Sequence, residues 1–153
     1  MTEVNIPLLR KEVEWVEEQD KLPYTVREWN QRVYVEPLFD TSLNNANRKR
    51  QELGMANHCG TAYCVAGHIG AQLDKRFARD SSIVVTKDDP LVQYLGEEYI
   101  TALNREGTVL VHVEHVATKA LGLSGYDASR MFSGSNSAED IRRIAEEVAG
   151  EKL

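Results

Sequence analysis

The apolar residues near the start of the chain follow the spacing of an amphipathic helix. Leu9, Val13 and Val16 are separated by four and three residues, so they share one face of a helix predicted over residues 7–19. Acidic residues surround this stripe, and we expect them to form a solvated outer face, with a docking surface for a basic partner as the alternative. These acidic residues are Glu12, Glu14, Glu17, Glu18 and Asp20.

The middle of the chain predicts an unusual helix over residues 61–73, because most of its sides carry small or apolar residues. A glycine inside a helix costs about 1 kcal/mol relative to alanine, so close approach by a neighbouring backbone is the expected reason for the glycines in this segment. We therefore expect this helix to be the structural centre of the fold. One predicted face comprises Ala62, Val65, Ala66, Ile69 and Leu73, and the opposite side holds Cys64, Gly67 and Ala71.

Two runs rich in β-branched residues, 82–86 and 108–112, interrupt the helical pattern and are predicted to pair as a small two-stranded sheet. The chain has 153 residues, of which 42% are hydrophobic, and this suits one compact domain over residues 1–153. The predicted fold class is mainly α. It is a single compact helical domain around the Gly-, Ala- and Cys-rich central helix, with a minor β element.

Capping and breaking residues mark the ends of the remaining predicted helices. A capping box at Thr25 and Glu28 starts a short helix that ends before Pro37. Ser137 caps a final helix, which Gly150 ends. Three more helices are predicted over residues 90–104, 112–121 and 126–132.

Charge and composition exclude several classes of protein. Eighteen Lys and Arg residues against 24 Asp and Glu residues leave a net charge of −6, which opposes a uniformly basic nucleic-acid clamp. The basic stretch Arg48-Lys49-Arg50 keeps a nucleic-acid-binding regulator as an alternative. No apolar run approaches the roughly 20 residues that a membrane span needs, and the first residues become acidic where a secretory signal is apolar. Two cysteines make no disulfide scaffold, so a cytoplasmic protein is expected.

Residues 58–68 bring both cysteines and two of the four histidines into eleven positions. A zinc site is one hypothesis for this segment. Cys64 and His68 are four residues apart on one helical face, and His58 or Cys59 would complete a tetrahedral ligand set. Zinc fingers, however, use closely spaced ligand pairs, and no second cysteine pair lies downstream. The scaffold interpretation makes Cys64 a small buried residue and places His68 at the border of the core.

A nucleophilic cysteine is the second hypothesis for the same segment. If Thr61 is the N-cap, Cys59 precedes the helix and Cys64 lies in its first turn, where the helix dipole lowers a thiol pKa. A disulfide between the two cysteines is disfavoured, because the helix start would have to bend back on itself. The sequence contains no P-loop, dinucleotide-binding, nucleophile-elbow or zinc-protease motif, and no catalytic residue is assigned.

The nine residues Cys59-Gly-Thr-Ala-Tyr-Cys-Val-Ala-Gly67 resemble the C-G-T-x-x-C-[IV]-A-G signature of a family of small uncharacterised proteins from actinobacteria and their phages. In that family a tryptophan-containing segment precedes the signature, and an L-G-L string, a pair similar to L-F and a helical tail follow it. The family often has an aromatic residue where this chain has His68. The corresponding features here are Trp29, Leu121-Gly-Leu123, Met131-Phe132 and the helix after Ser137.

The resemblance implies a non-enzymatic phage accessory protein that binds a host protein in the cytoplasm of an infected actinobacterium. Cys59, Gly60, Thr61, Cys64 and Gly67 are then structural motif residues, and no cofactor is implied. Residues 74–107 are longer than this family leads us to expect. We therefore interpret them as an inserted segment which, like the acidic first helix, is a candidate binding surface.

Three functional hypotheses follow from the sequence. The first is the host-binding protein, whose partner and oligomeric state the sequence does not identify. The second is a zinc- or cysteine-dependent enzyme centred on His58, Cys59, Cys64 and His68. The third is a nucleic-acid-binding regulator, which the negative net charge disfavours.

Overall fold

A computed structural model of the protein describes residues 3–23, 28–29, 35–37, 61–96 and 107–153. These residues are mainly helical, as the sequence predicts. The helices are α1 (Ile6–Asp20), α2 (Val65–Leu73), α3 (Pro90–Leu95), α4 (Val113–Leu121), α5 (Gly125–Met131) and α6 (Ala138–Ala149), and a 3₁₀ helix spans Lys75–Ala78. The strands are β1 (Val35–Pro37), β2 (Thr61–Tyr63), β3 (Ser82–Thr86) and β4 (Thr108–His112). Within the described ranges, no helix is long and apolar enough to cross a membrane.

The first and last helices pack together in the larger of two hydrophobic clusters. Leu9, Val13 and Val16 of α1 are buried there, which confirms the predicted apolar stripe. The contact between α1 and α6 also has a polar component, because the Arg142 guanidinium donates to both carboxylate oxygens of Glu17 at 2.6 and 2.7 Å. This bidentate pair lowers the pKa of the Glu17 carboxyl below its usual range. It therefore stabilises the ionised form of Glu17.

Helix α2 lies against α4 at a very short distance, and Gly70 makes this approach possible. A Cβ atom built at Gly70 would lie 2.0 Å from Cγ2 of Val113. Val65, Ala66 and Ile69 of α2 are buried in the larger cluster. The sequence predicts close approach by a neighbouring backbone as the reason for glycine in this helix, whereas at Gly70 the close neighbour is the Val113 side chain.

The second hydrophobic cluster lies around the small sheet. Strands β3 and β4 pair antiparallel with Ile83 opposite Val111 and Val85 opposite Val109, as predicted for these two runs. The inner face of this sheet packs with the 3₁₀ helix, α3 and the start of α4. The buried members of the cluster are Phe77, Val85, Leu91, Val92, Leu95, Val109, Val111, Val113 and Val116.

The predicted helix over residues 61–73 begins four residues later than expected. Thr61 is not an N-cap, because residues 61–63 form β2, which pairs antiparallel with β1. Cys64 is the N-cap of α2 instead. The helix ends at Leu73, as predicted, and this last residue is 53% exposed.

Two other predicted helices differ from the structure. Glu28 and Trp29 are not helical, and Glu36-Pro37 belongs to β1 rather than to a helix end, while the rest of the predicted helix lies outside the described residues. Helix α3 ends at Leu95 and not near residue 104, because Gly96 adopts a φ of 77° and stops the helix. Residues 97–106 lie outside the described part of the chain.

The remaining predicted helix ends are confirmed. Ser137 and Asp140 form a reciprocal capping box at the start of α6. Gly122 and Gly150 end α4 and α6 in the left-handed conformation, with φ values of 69° and 73°. At Gly122 the backbone of Glu3 also lies close, since a Cβ atom there would be 2.1 Å from the Glu3 carbonyl oxygen.

Candidate functional site

Cys64 is a buried free thiol with a structural position at the start of α2. Its Sγ atom accepts a hydrogen bond from the backbone N–H of Gly67 at 3.4 Å. Burial raises the pKa of the Cys64 thiol to about 12, and the backbone N–H groups at the helix start reduce this effect only in part. The predicted lowering of this pKa by the helix dipole is therefore wrong in direction. Desolvation dominates, so the thiolate needed for nucleophilic attack is scarce at neutral pH.

The structure describes two of the four predicted zinc ligands, Cys64 and His68. His58, Cys59 and Gly60 lie outside the described residues, and Cys64 accepts from a backbone N–H. His68 is four residues further along α2, and its ring contacts α1. Among the residues that the structure describes, no group of three or more His, Cys, Asp or Glu side chains could hold a metal ion.

The His68 side chain joins α2 to α1 through a buried carboxylate. Nδ1 of His68 lies 2.7 Å from Oε2 of Glu12, and the Glu12 side chain is only 1% exposed. The expected solvated position of Glu12 is therefore wrong. Glu12 lies three residues after Leu9 and four before Val16, so its spacing is that of the buried stripe. That spacing is the signal in the sequence that could have identified it.

Trp15 and Gln72 also contact the His68 ring. The rings of Trp15 and His68 stack with their centroids 3.6 Å apart and their planes 2° apart. The amide nitrogen of Gln72 lies 2.9 Å from Nε2 of His68. Oε1 of Glu12 is buried and accepts no hydrogen bond from the described residues. The arrangement orients the imidazole, and a charge on it would interact favourably with both the carboxylate and the indole face.

A groove of about 320 Å³ lies between the end of α2, the 3₁₀ helix and α3. This volume is at the lower end of the range typical of ligand sites. Leu73 and Tyr94 line it, and they are 53% and 44% exposed. The groove thus combines exposed apolar side chains with concave shape, and the other apolar residues that line it are Pro90, Leu91 and Val116.

One side of the groove is formed by Arg76 between two carboxylates. The guanidinium of Arg76 donates to Asp74 at 2.6 Å and to Asp89 at 2.8 Å. These hydrogen bonds hold the pKa values of both carboxyl groups below their usual range. Both carboxylates also cap helices, because Asp74 accepts from the backbone N–H of Arg76 and Asp89 from that of Leu91. The positions of the two carboxylates in the groove are therefore held by hydrogen bonds to the first turns of the 3₁₀ helix and α3.

A larger depression, of about 570 Å³, lies along α6. Four of the charged side chains in its lining form ion pairs with one another or with neighbours. Arg142 contacts Glu17 and Glu146, and Arg143 contacts Asp140 and Glu147. This surface has no exposed large apolar side chain in its lining, so it lacks the combination found in the groove.

His112 is a further histidine with a structural role. Its Nδ1 atom accepts a hydrogen bond from the backbone N–H of Glu114 at 3.1 Å, so the side chain caps α4. Burial lowers the pKa of His112, and the nearby Glu114 carboxylate only partly opposes this shift. The rings of His112 and His115 meet edge to face with centroids 6.3 Å apart.

Comparison with models of protein families, with curated proteins and with solved structures finds no match to this chain.

Proposed function

We propose that this chain is a non-enzymatic protein that acts by binding another protein through the groove lined by Leu73 and Tyr94. In line with the resemblance of residues 59–67, we propose further that it is a phage accessory protein and that its partner belongs to the host. The groove supports this proposal because it joins a concave shape to two large apolar side chains that remain half exposed. Exposed apolar surface of this kind is typical of interaction sites.

The position of the groove along the chain adds a second argument. Most of its residues belong to 74–107, the segment that the family resemblance indicates as inserted. The second hydrophobic cluster supports this part of the chain with its own buried residues, from Phe77 to Val116. A rigid base under the groove reduces the ordering cost of binding a partner. The buried, weakly acidic Cys64 thiol, in contrast, offers little to a cysteine-dependent reaction.

Differential capture from a lysate of an actinobacterial host tests the proposal. The wild-type chain, Leu73→Gln and Leu110→Gln are immobilised in equal amounts, and the retained proteins are quantified by mass spectrometry. Leu110 is the matched control, because it is 50% exposed, lies on β4 and does not line the groove. Each retained protein is then purified and titrated against the three chains.

We expect a host protein that binds the wild type and Leu110→Gln equally and Leu73→Gln about tenfold more weakly, which corresponds to the loss of one buried apolar side chain. Equal binding to all three chains would show that the partner binds outside the groove. A host protein that the chain modifies chemically, or no specific binding at all, would contradict the proposed function.

A further inference from the structure

The charges in the groove do not cancel. Asp74 and Asp89 face one guanidinium, that of Arg76, so the three side chains leave a net charge of −1. All three guanidinium nitrogens of Arg76 already donate to these carboxylates. Arg76 therefore has little capacity left for an anionic ligand, and the local charge favours a cation.

One carboxylate oxygen in the groove has remaining acceptor capacity. Oδ1 of Asp89 accepts from Leu91 N–H and from Arg76, whereas Oδ2 accepts one hydrogen bond, from Arg76 at 2.8 Å, within the described part of the chain. A carboxylate oxygen has two lone pairs, so Oδ2 can accept another donor. The Asp89 side chain lines the groove and is 15% exposed.

The apolar part of the groove lies beside this acceptor. Leu73 and Tyr94 are exposed at its rim, while Leu91 is buried below them. An aliphatic or aromatic side chain that enters here would remove apolar surface on both molecules from water. A cation held next to that side chain would then meet Asp89 in a partly desolvated setting, where the attraction is stronger than in bulk water.

We propose that the groove binds a segment of the partner protein in which a large apolar side chain is adjacent to a lysine or an arginine. This inference rests on the proposed function and specifies the chemistry of the partner. The apolar side chain contacts Leu73 and Tyr94, and the basic group donates to Asp89. The net charge of the whole chain, −6, also favours a basic partner.

A random peptide library displayed on phage and selected on the wild-type chain provides the probe. The enriched peptides are synthesised, and their dissociation constants are measured by fluorescence anisotropy against five chains. These are the wild type, Leu73→Gln and its control Leu110→Gln, and Asp89→Asn and its control Asp88→Asn. Asparagine preserves the helix cap at position 89, and Asp88 is an exposed neighbour that does not line the groove.

We expect the enriched peptides to pair an apolar residue with Lys or Arg. Leu73→Gln should weaken their binding about tenfold and Asp89→Asn about three- to tenfold, while both controls stay within about twofold of the wild type. Replacing the basic residue of the peptide by glutamine should weaken binding to the wild type by the same factor as Asp89→Asn. The same replacement in the peptide should not weaken its binding to Asp89→Asn any further.

Four outcomes would overturn the inference. Enriched peptides without a basic residue, or peptides that bind Asp89→Asn as tightly as the wild type, would show that Asp89 does not bind a cation of the partner. If the chain self-associates and Leu73→Gln abolishes this self-association, the groove binds a second copy of the chain. The absence of any enriched peptide would also overturn it, while a host protein that discriminates between Leu73→Gln and Leu110→Gln would leave the proposed function intact.

Discussion

Nδ1 of His68 lies 2.7 Å from Oε2 of Glu12 and so connects the central helix α2 to the first helix α1. Both partners are removed from water, the carboxylate almost completely and the imidazole with 14% of its side chain exposed. A carboxylate this deeply buried is tolerated only if it is paired or protonated. The Trp15 ring that stacks on His68 limits the positions available to the imidazole. The pair therefore contributes to the specific arrangement of the two helices.

Removal of His68 alone should destabilise the protein strongly. His68→Leu leaves the Glu12 carboxylate buried without its partner, and we expect a loss of about 3–5 kcal/mol in the free energy of unfolding. Urea denaturation followed by circular dichroism measures this value. Gln72→Ala is the control, because it removes only the exposed contact to Nε2, and it should cost about 1 kcal/mol or less.

A double-mutant cycle separates the energy of the Glu12–His68 interaction from that of the packing of the two side chains. Glu12→Leu combined with His68→Leu removes both polar groups, and we expect it to be more stable than His68→Leu alone by about 1–4 kcal/mol. If the double variant is as unstable as the sum of the two single variants, the two side chains do not interact. The role assigned here to the Glu12–His68 pair would then be wrong.

Local patterns in the sequence predict much of this fold. The buried stripe of α1, the strands β3 and β4 and the capping box of α6 each depend on residues close together in the chain. The pairing of β1 with β2 joins residues 35–37 to residues 61–63, and no local pattern contains that information. This pairing is why residues 61–63 are extended and the predicted helix begins late.

The candidate site was predicted less well, for physical reasons. The spacing of the motif around Cys64 does not reveal the pKa of its thiol, because that pKa depends on burial by distant residues. The sequence predicts Glu12 in solvent, because burial of an ionised carboxylate without a partner is costly. Its partner in the structure, His68, lies 56 residues further along the chain, where no local pattern shows it. The groove is lined by Leu73 and Tyr94, which belong to different helices. The spacing of apolar residues within each helix does not show how the chain turns to bring these two residues to one groove.

The close approach of α2 and α4 can be tested with one methyl group. Gly70→Ala places a Cβ atom 2.0 Å from Cγ2 of Val113, and we expect a loss of about 1–3 kcal/mol in stability. Gly125→Ala is the matched control, because no atom lies within 4 Å of its Cβ position, and it should be neutral or slightly stabilising. Thermal denaturation of both variants measures the difference. Equal melting temperatures would show that the two helices separate at low cost.

The Cys64 thiol should react slowly in the native protein. Its pKa of about 12 and its burial leave little accessible thiolate at pH 8. In a Cys59→Ser background, which leaves Cys64 as the single cysteine, alkylation by iodoacetamide should be at least about a hundredfold faster in 8 M urea than in buffer. Mass spectrometry of timed samples gives both rates. Fast alkylation of the folded chain would restore the hypothesis of a reactive cysteine.

Loss of the His112 cap should reduce stability as the pH falls. Burial lowers the pKa of His112 below 6.5 in the folded state, so below about pH 6.5 the unfolded chain binds this proton more readily and folding stability decreases. Protonation of Nδ1 also removes the acceptor for Glu114 N–H. His112→Asn retains a capping side chain without a titrating group, so its free energy of unfolding should fall less than that of the wild type between pH 7.5 and pH 5. The rest of the chain is identical in the two proteins, and the difference between the two urea-unfolding series therefore isolates His112. Identical pH dependence in the two series would contradict a lowered pKa at this cap.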